Sequence, residues 1–339
     1  MSDRFITLDQ IYAARERITG AIHQTPMLSS ATAARLVEAG TGKRLRDDRL
    51  YVKAEHLQKT GSFKARAALS KLTSLTADER TKGAITLSAG NAAQAYAWAG
   101  SVEGIAVTAT MPAGAVRSKV EATRGYGAEV VLHGEHVGET WARVQELIAE
   151  RGLTLVHPFD DPEVIAGNAS AGLEILDDLP DVDVVVVGVG GGGLISGVAT
   201  ALKESRPGIR VFGVEPEGSD AVSEAIQAGQ VVRIAPVSVA DGLGAPFAGE
   251  WTLPICSRYV DDIVLLDDAT ILGGLRFAAE RMKQVLEPAG AAALAAVLAG
   301  RIPIREGERV CVVASGGNVE TSRLREFLES PIPSAASRV

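Results

Sequence analysis

Lys64 sits directly after Phe63 in the stretch KTGSFKARAA, Lys59–Ala68. A lysine becomes a carbonyl-attacking nucleophile when burial or a cationic neighbour favours its neutral amine. Phe63 on one side and Arg66 on the other could supply those conditions. The plain alternative is a solvated lysine on a helix face. A second stretch, Val182–Gly197, reads VDVVVVGVGGGGLISG. A strand-like run ends at Gly188, four glycines follow at Gly190, Gly191, Gly192 and Gly193, and a helix pattern opens at Leu194. Backbone N–H groups at a helix N-terminus, with no side chains in the way, make a cradle for an anion, a phosphate above all. A bare turn could also stand here, but consecutive glycines lose so much backbone entropy that it seldom needs four. Gly188, Gly190 and Gly193 also satisfy GxGxxG, and Glu215 ends the next strand where a ribose-binding acid belongs. Dinucleotide binding by an oxidoreductase is therefore the alternative from a different class.

Two further stretches place small polar groups at strand ends. Ser88-Ala89-Gly90-Asn91-Ala92 follows the strand pattern GAITL and opens an alanine-rich helix. Its amides suit a small carboxylate, although Ser88 or Asn91 could serve only as a cap. Ser315 closes the last strong apolar run, VCVVA, and offers a neutral hydroxyl at a strand's carboxyl end. Alone it would read as a turn.

The elements that must position these residues alternate along the chain. Strands are expected at 50–54, 83–87, 104–109, 129–132, 154–156, 182–187, 211–214 and 310–314. Helices are expected at 92–100, 116–126, 139–151, 165–176 and 194–205. Near-continuous apolar strands between helices predict an α/β fold with parallel sheets buried on both faces. The block from 83 to 156 looks self-contained, so a smaller domain inserted into a larger one is expected, with ligands in the cleft between them. The predicted division is 1–80 with 158–325 as the large domain, 81–157 as the small one, and 326–339 as a tail.

Composition excludes several partners. The 339-residue chain has a net charge of −8 and no basic block, which disfavours nucleic acid. Its two cysteines, Cys256 and Cys311, lie far apart, in keeping with a reducing compartment and no disulfide framework or structural zinc. Thr7 and Gln10 read as a capping box, and the charged N-terminus has no signal-peptide core. The most apolar run, 289–300, is too short to span a bilayer. A cytoplasmic protein with no membrane partner is expected.

Together these segments resemble the fold-type II, tryptophan-synthase-β-like family of pyridoxal-phosphate (PLP) enzymes, and within it the threonine/serine dehydratases and serine racemases. KTGSFKARAA is similar to the family's lysine segment, SAGNAAQA to its substrate-carboxylate loop, and GVGGGGLISG to its phosphate cup. The likeness continues through HPFDDPEVIAG (157–167), GVEPEGS (213–219), VADGLGAP (239–246), EPAGAAALAA (287–296) and SGGN (315–318).

The resemblance implies a two-domain fold, each domain a mostly parallel twisted sheet flanked by helices. It implies a Schiff base between Lys64 and PLP. Phe63 would flank the cofactor, Asn91 would reach its 3-oxygen, and Ser315 would meet its pyridine nitrogen. Gly190, Gly191, Gly192, Gly193 and Leu194 would hold its phosphate. Ser88, Ala89, Gly90, Asn91 and Ala92 would hold the substrate. The chain departs from the pattern at His56 for a usual Asn, Ala67 for a usual Gly and Ala92 for a common His. Some relatives bind a divalent ion at the acid corresponding to Glu215. Here Ala221 replaces a second carboxylate, so a metal is allowed and not predicted. A homodimer is expected. The implied reaction is dehydration and deamination of an L-3-hydroxy amino acid, threonine or serine first, by a lyase. Alternatives within the fold are serine racemisation or a bulkier substrate such as a phenylserine. The stretch after Asn318 is too short for another packed domain, so isoleucine control through a C-terminal regulatory domain is not expected.

Overall fold

In a computed structural model, residues 4–333 are described. Ten strands are named among them: β1 Met27–Ser30, β2 Leu50–Lys53, β3 Ala84–Leu87, β4 Val107–Met111, β5 Glu129–Leu132, β6 Thr154–Leu155, β7 Val184–Gly188, β8 Arg210–Pro216, β9 Asp262–Leu266 and β10 Val310–Val313. They form two sheets, a six-stranded one ordered β1-β2-β10-β7-β8-β9 and a four-stranded one ordered β5-β4-β3-β6. Every pairing is parallel except β1 with β2.

The valine-rich strands explain the larger sheet. Val184, Val186, Val310 and Val312 join one apolar cluster, with the helix Pro288–Leu298. Val185, Val187, Cys311 and Val313 join the other, with the helices Pro162–Asp178 and Gly193–Ser205. Side chains alternate with a period of two, so a run without polar residues requires cover on both faces. The run at 289–300 is such a cover: no described helix is long and apolar enough to cross a membrane. The smaller sheet has its own clusters around Leu69, Tyr96, Ile85 and Met111.

The helix Leu8–Ile18 opens with the expected box: Gln10 N donates to Thr7 Oγ1 at 3.3 Å and Thr7 N to Gln10 Oε1 at 2.8 Å. One strand is displaced from its expected place. Gly104 is the left-handed residue, φ +65°, that ends the helix Asn91–Glu103, so β4 begins only at Val107. Strands β1 and β9 were not expected. Both are sheet edges with mixed exposure: β1, MLSS, lacks the unbroken apolar run that marks a central strand, whereas β9, DIVLL, carries a short one between acidic residues. The helix Thr321–Phe327 packs through Phe327 against the first cluster. Residues 334–339 of the expected tail lie outside the described residues.

Beneath the helix Lys64–Thr73 lies a buried ionic cluster. Arg66, wholly buried, gives Nε and Nη2 to Glu55 at 2.7 and 2.8 Å, and Nη1 and Nη2 to Glu174 at 2.6 and 2.8 Å. Lys53 Nζ adds a bond to Glu174 at 2.8 Å. Burial alone would raise the Glu55 pKa, but the Arg66 guanidinium overrides it and holds the carboxyl below its usual range. The cluster ties β2, the Lys64 helix and the helix Pro162–Asp178 into one support.

Candidate active site

The residues singled out above come from loops at the carboxyl ends of parallel strands, where α/β folds place ligands. Ser88 follows β3, His157 lies just after β6, the glycine turn follows β7, and Ser315 follows β10.

Two segments far apart in sequence are sewn together to hold Lys64. His56 N donates to Ala314 O at 2.8 Å, Phe63 N to Ser315 O at 3.1 Å and Gly317 N to Gly61 O at 2.9 Å. Asn318 Nδ2 donates to Thr60 O at 2.7 Å. Gly61 has φ +73°, and a Cβ there would come within 2.3 Å of Asn318 Oδ1. Only glycine meets both conditions.

Lys64 is half-buried by area, but its amine lies deep in the cleft. Nζ donates to Pro158 O at 2.7 Å and lies 4.9 Å from the Phe63 ring centroid. Burial lowers its pKa to about 8, with the Glu287 charge acting in the opposite direction. The lysine is therefore not a solvated surface residue.

The glycine turn leads into the helix Gly193–Ser205 through Gly192, φ +88°, with no side-chain cap, so the first-turn amides have no capping partner from the preceding side chain. A Cβ on Gly191 would lie 2.4 Å from the Phe159 ring, and one on Gly193 would lie 2.8 Å from Phe159 O. The same loop that receives the Lys64 amine thus lies against the turn. His157 packs edge-on against Phe159 at 4.6 Å between centroids, and burial lowers its pKa.

The helix Asn91–Glu103 also lacks a side-chain cap at Gly90. Asn91 is held on both sides: Nδ2 donates to Glu287 Oε1 at 2.6 Å, and Oδ1 accepts from Asn318 Nδ2 at 2.8 Å. Ser88 Oγ accepts from Gly90 N at 3.2 Å and shapes the loop that contains Ala89. Ala92 is buried behind it, and Ser315 is 4% exposed.

Glu287 was not singled out by sequence reasoning. Burial, helped by Asp241, raises its pKa to about 7. Its signal was visible as the only charge in EPAGAAALAA, placed just before a helix-opening proline. Pro158, Phe159 and Asn318 were likewise given no role.

A family model for pyridoxal-phosphate dependent enzymes matches residues 18–316. The chain belongs to this family. It is 40% identical over 325 residues to the catabolic L-threonine dehydratase TdcB of Escherichia coli, covering 95% of this chain and 96% of that one. A solved threonine deaminase from T.th. is 41% identical with a TM-score of 0.83, covering 93% and 99% of the two chains. Maize serine racemase is 33% identical with a TM-score of 0.88, covering 96% and 97%. The fold is the family's fold type II, and the cofactor is pyridoxal phosphate.

The residues present fit that cofactor. A lysine with a lowered pKa suits its aldehyde, and an uncapped, side-chain-free turn suits its phosphate. The dinucleotide alternative falls with the family match, and Glu215 is engaged within the protein. Its Oε1 accepts from Val222 N at 2.9 Å, and its Oε2 accepts from Ser223 N at 3.0 Å and Ser223 Oγ at 2.6 Å. Among the described residues no three His, Cys, Asp or Glu gather as a group that could hold a metal ion.

Proposed function

We propose that this chain is an ammonia-lyase that converts L-threonine or L-serine into a 2-oxo acid and ammonia. The observation that carries the reading is the Lys64 amine, depressed to about 8 and held between the Pro158 carbonyl and the Phe63 ring. The cofactor, when bound, supplies a sink for the electrons left at Cα. The chain's own groups do the rest. Lys64 anchors the cofactor, then takes the Cα proton as general base. The amides of residues 88–92 hold the substrate carboxylate, and the Gly190–Leu194 turn holds the phosphate. Asn91 is fixed by Glu287 and Asn318, and its second amide hydrogen would be the one to serve the cofactor's 3-oxygen. Ser315 would meet the ring nitrogen with a neutral hydroxyl, which would favour rapid loss of the β-hydroxyl over long storage of charge. Lys119 pairs with Asp241 and Ser118 Oγ donates to Glu320 at 2.5 Å, joining the small-sheet unit to the large one beside Glu287.

In atom balance, the β-hydroxyl leaves with one proton as water, and hydrolysis of the released enamine takes up one water. Threonine then gives 2-oxobutanoate and ammonia.

Racemisation is the second reading, supported by the likeness to maize serine racemase. It needs an acid–base group on each face of Cα. Ala89, beside Ser88, has no proton to exchange, which favours the lyase. The division 1–80 with 158–325 against 81–157 is the proposed domain plan, supported by the two separate sheets. Two buried, unpaired cysteines support the cytoplasm as compartment, and the family resemblance supports a homodimer.

A panel of 3-hydroxy amino acids assayed for 2-oxo acid tests the reading. Threonine and serine should be consumed, and Lys64→Ala should lose turnover by at least about 10²–10⁴-fold. Consumption of 3-phenylserine with no threonine or serine turnover would overturn the substrate assignment. Full activity in Lys64→Ala would overturn the lysine's role.

A further inference from the structure

Thr252 touches neither Lys64 nor the substrate loop, yet it is wholly buried directly behind the glycine turn. Its hydroxyl donates its one proton to Gly191 O at 2.7 Å, and Thr252 Oγ1 in turn accepts from Gly249 N at 2.8 Å. Both glycines are themselves buried, so neither backbone group has water as a substitute. Gly192, the left-handed residue of the turn, packs so closely that a Cβ there would lie 2.9 Å from Thr252 Cβ. A third loop completes the brace. Asp160, next to Phe159, accepts from Glu250 N at 2.9 Å and Trp251 N at 2.8 Å. One hydroxyl and one carboxylate thereby lock the 249–252 segment between the glycine turn and the loop that receives the Lys64 amine.

We propose that Thr252 is a positioning residue that sets the phosphate affinity of the glycine turn by fixing the Gly191 peptide. Four glycines leave the turn many backbone conformations, of which few aim successive N–H groups at one point. Holding the Gly191 carbonyl from behind fixes the peptide plane that it shares with the Gly192 N–H. The orientation of the cradle therefore comes from a residue about sixty positions away.

The inference rests on the reading of Gly190–Leu194 as the phosphate cradle. The test uses the purified holoenzyme, stripped with hydroxylamine and titrated with PLP or with pyridoxal, which lacks the phosphate. Binding is followed by visible absorbance and needs no turnover. Thr252→Val keeps the shape and removes both hydrogen bonds. It should weaken PLP binding about tenfold while leaving pyridoxal binding unchanged. Thr252→Ser, which keeps the hydroxyl, should restore the wild-type preference for PLP. Parallel weakening of PLP and pyridoxal, or no change in either, overturns the role of Thr252. A wild type that binds pyridoxal as tightly as PLP overturns the cradle reading itself. If the valine variant does not fold, Thr252→Cys, with its weak donor, carries the same comparison.

Discussion

The backbone N–H of Phe63 donates to the carbonyl of Ser315 at 3.1 Å, joining residues that are widely separated in the chain. Lys64 is the next residue along. The group expected to anchor the cofactor and the hydroxyl expected to meet its ring are thus positioned by one hydrogen bond. A change at Ser315 should therefore act on the cofactor's electronic state without moving Lys64. Ser315→Asp places a carboxylate where the hydroxyl stood and favours a protonated ring nitrogen by opposite charge. The expected result is slower elimination and a longer-lived long-wavelength absorbance in stopped-flow spectra. Wild-type rates and spectra would show that Ser315 does not reach the ring.

Lys64 should react as an unusually acidic lysine. In protein stripped of cofactor, the rate of PLP uptake should rise with pH through about 8, because only the neutral amine attacks the aldehyde. Glu287 raises the Lys64 pKa, so Glu287→Gln should move that midpoint below the wild-type value. A midpoint that stays put, or rises, would remove Glu287 from the electrostatics of the lysine.

Arg66 supports the Lys64 helix from below. Arg66→Ala leaves Glu55 and Glu174 buried without their shared partner, a loss on the order of 3–5 kcal/mol. Urea unfolding monitored by circular dichroism measures it. A loss under about 1 kcal/mol would mean that Lys53 and water compensate fully.

Ala89→Ser should raise the ratio of D-serine to pyruvate formed from L-serine, since it supplies a fixed hydroxyl near the face of Cα that Lys64 does not serve. Chiral chromatography of both proteins' products decides it. Abundant D-serine from the unmodified protein would reverse the preference for elimination over racemisation.

The glycine turn, the lysine segment and the core strands were legible in the sequence because their physics is local. A strand buried on both faces must be apolar at every position, as VVVV is in β7. Four adjacent glycines announce a backbone that approaches something closely. A capping box needs only Thr7 and Gln10, three residues apart. Strand β1 is not legible because MLSS carries no apolar run, whereas β9 carries a short one, Ile263–Leu266, bounded by acidic residues that read equally well as a loop. What tertiary structure alone decided is which distant groups meet. The lowered pKa of Lys64 comes from burial, tempered by Glu287, and its amine's partner is a carbonyl beyond the small sheet. Asn91 gains its orientation from Glu287 and Asn318, and the glycine turn gains its backing from Thr252. Glu215, placed at a strand end like a ligand-binding acid, spends its oxygens on two amides and a hydroxyl in the first turn of the next helix. Residue type and spacing specify which chemistry a segment can perform. Burial and the partners brought by folding set the protonation and the aim of each group.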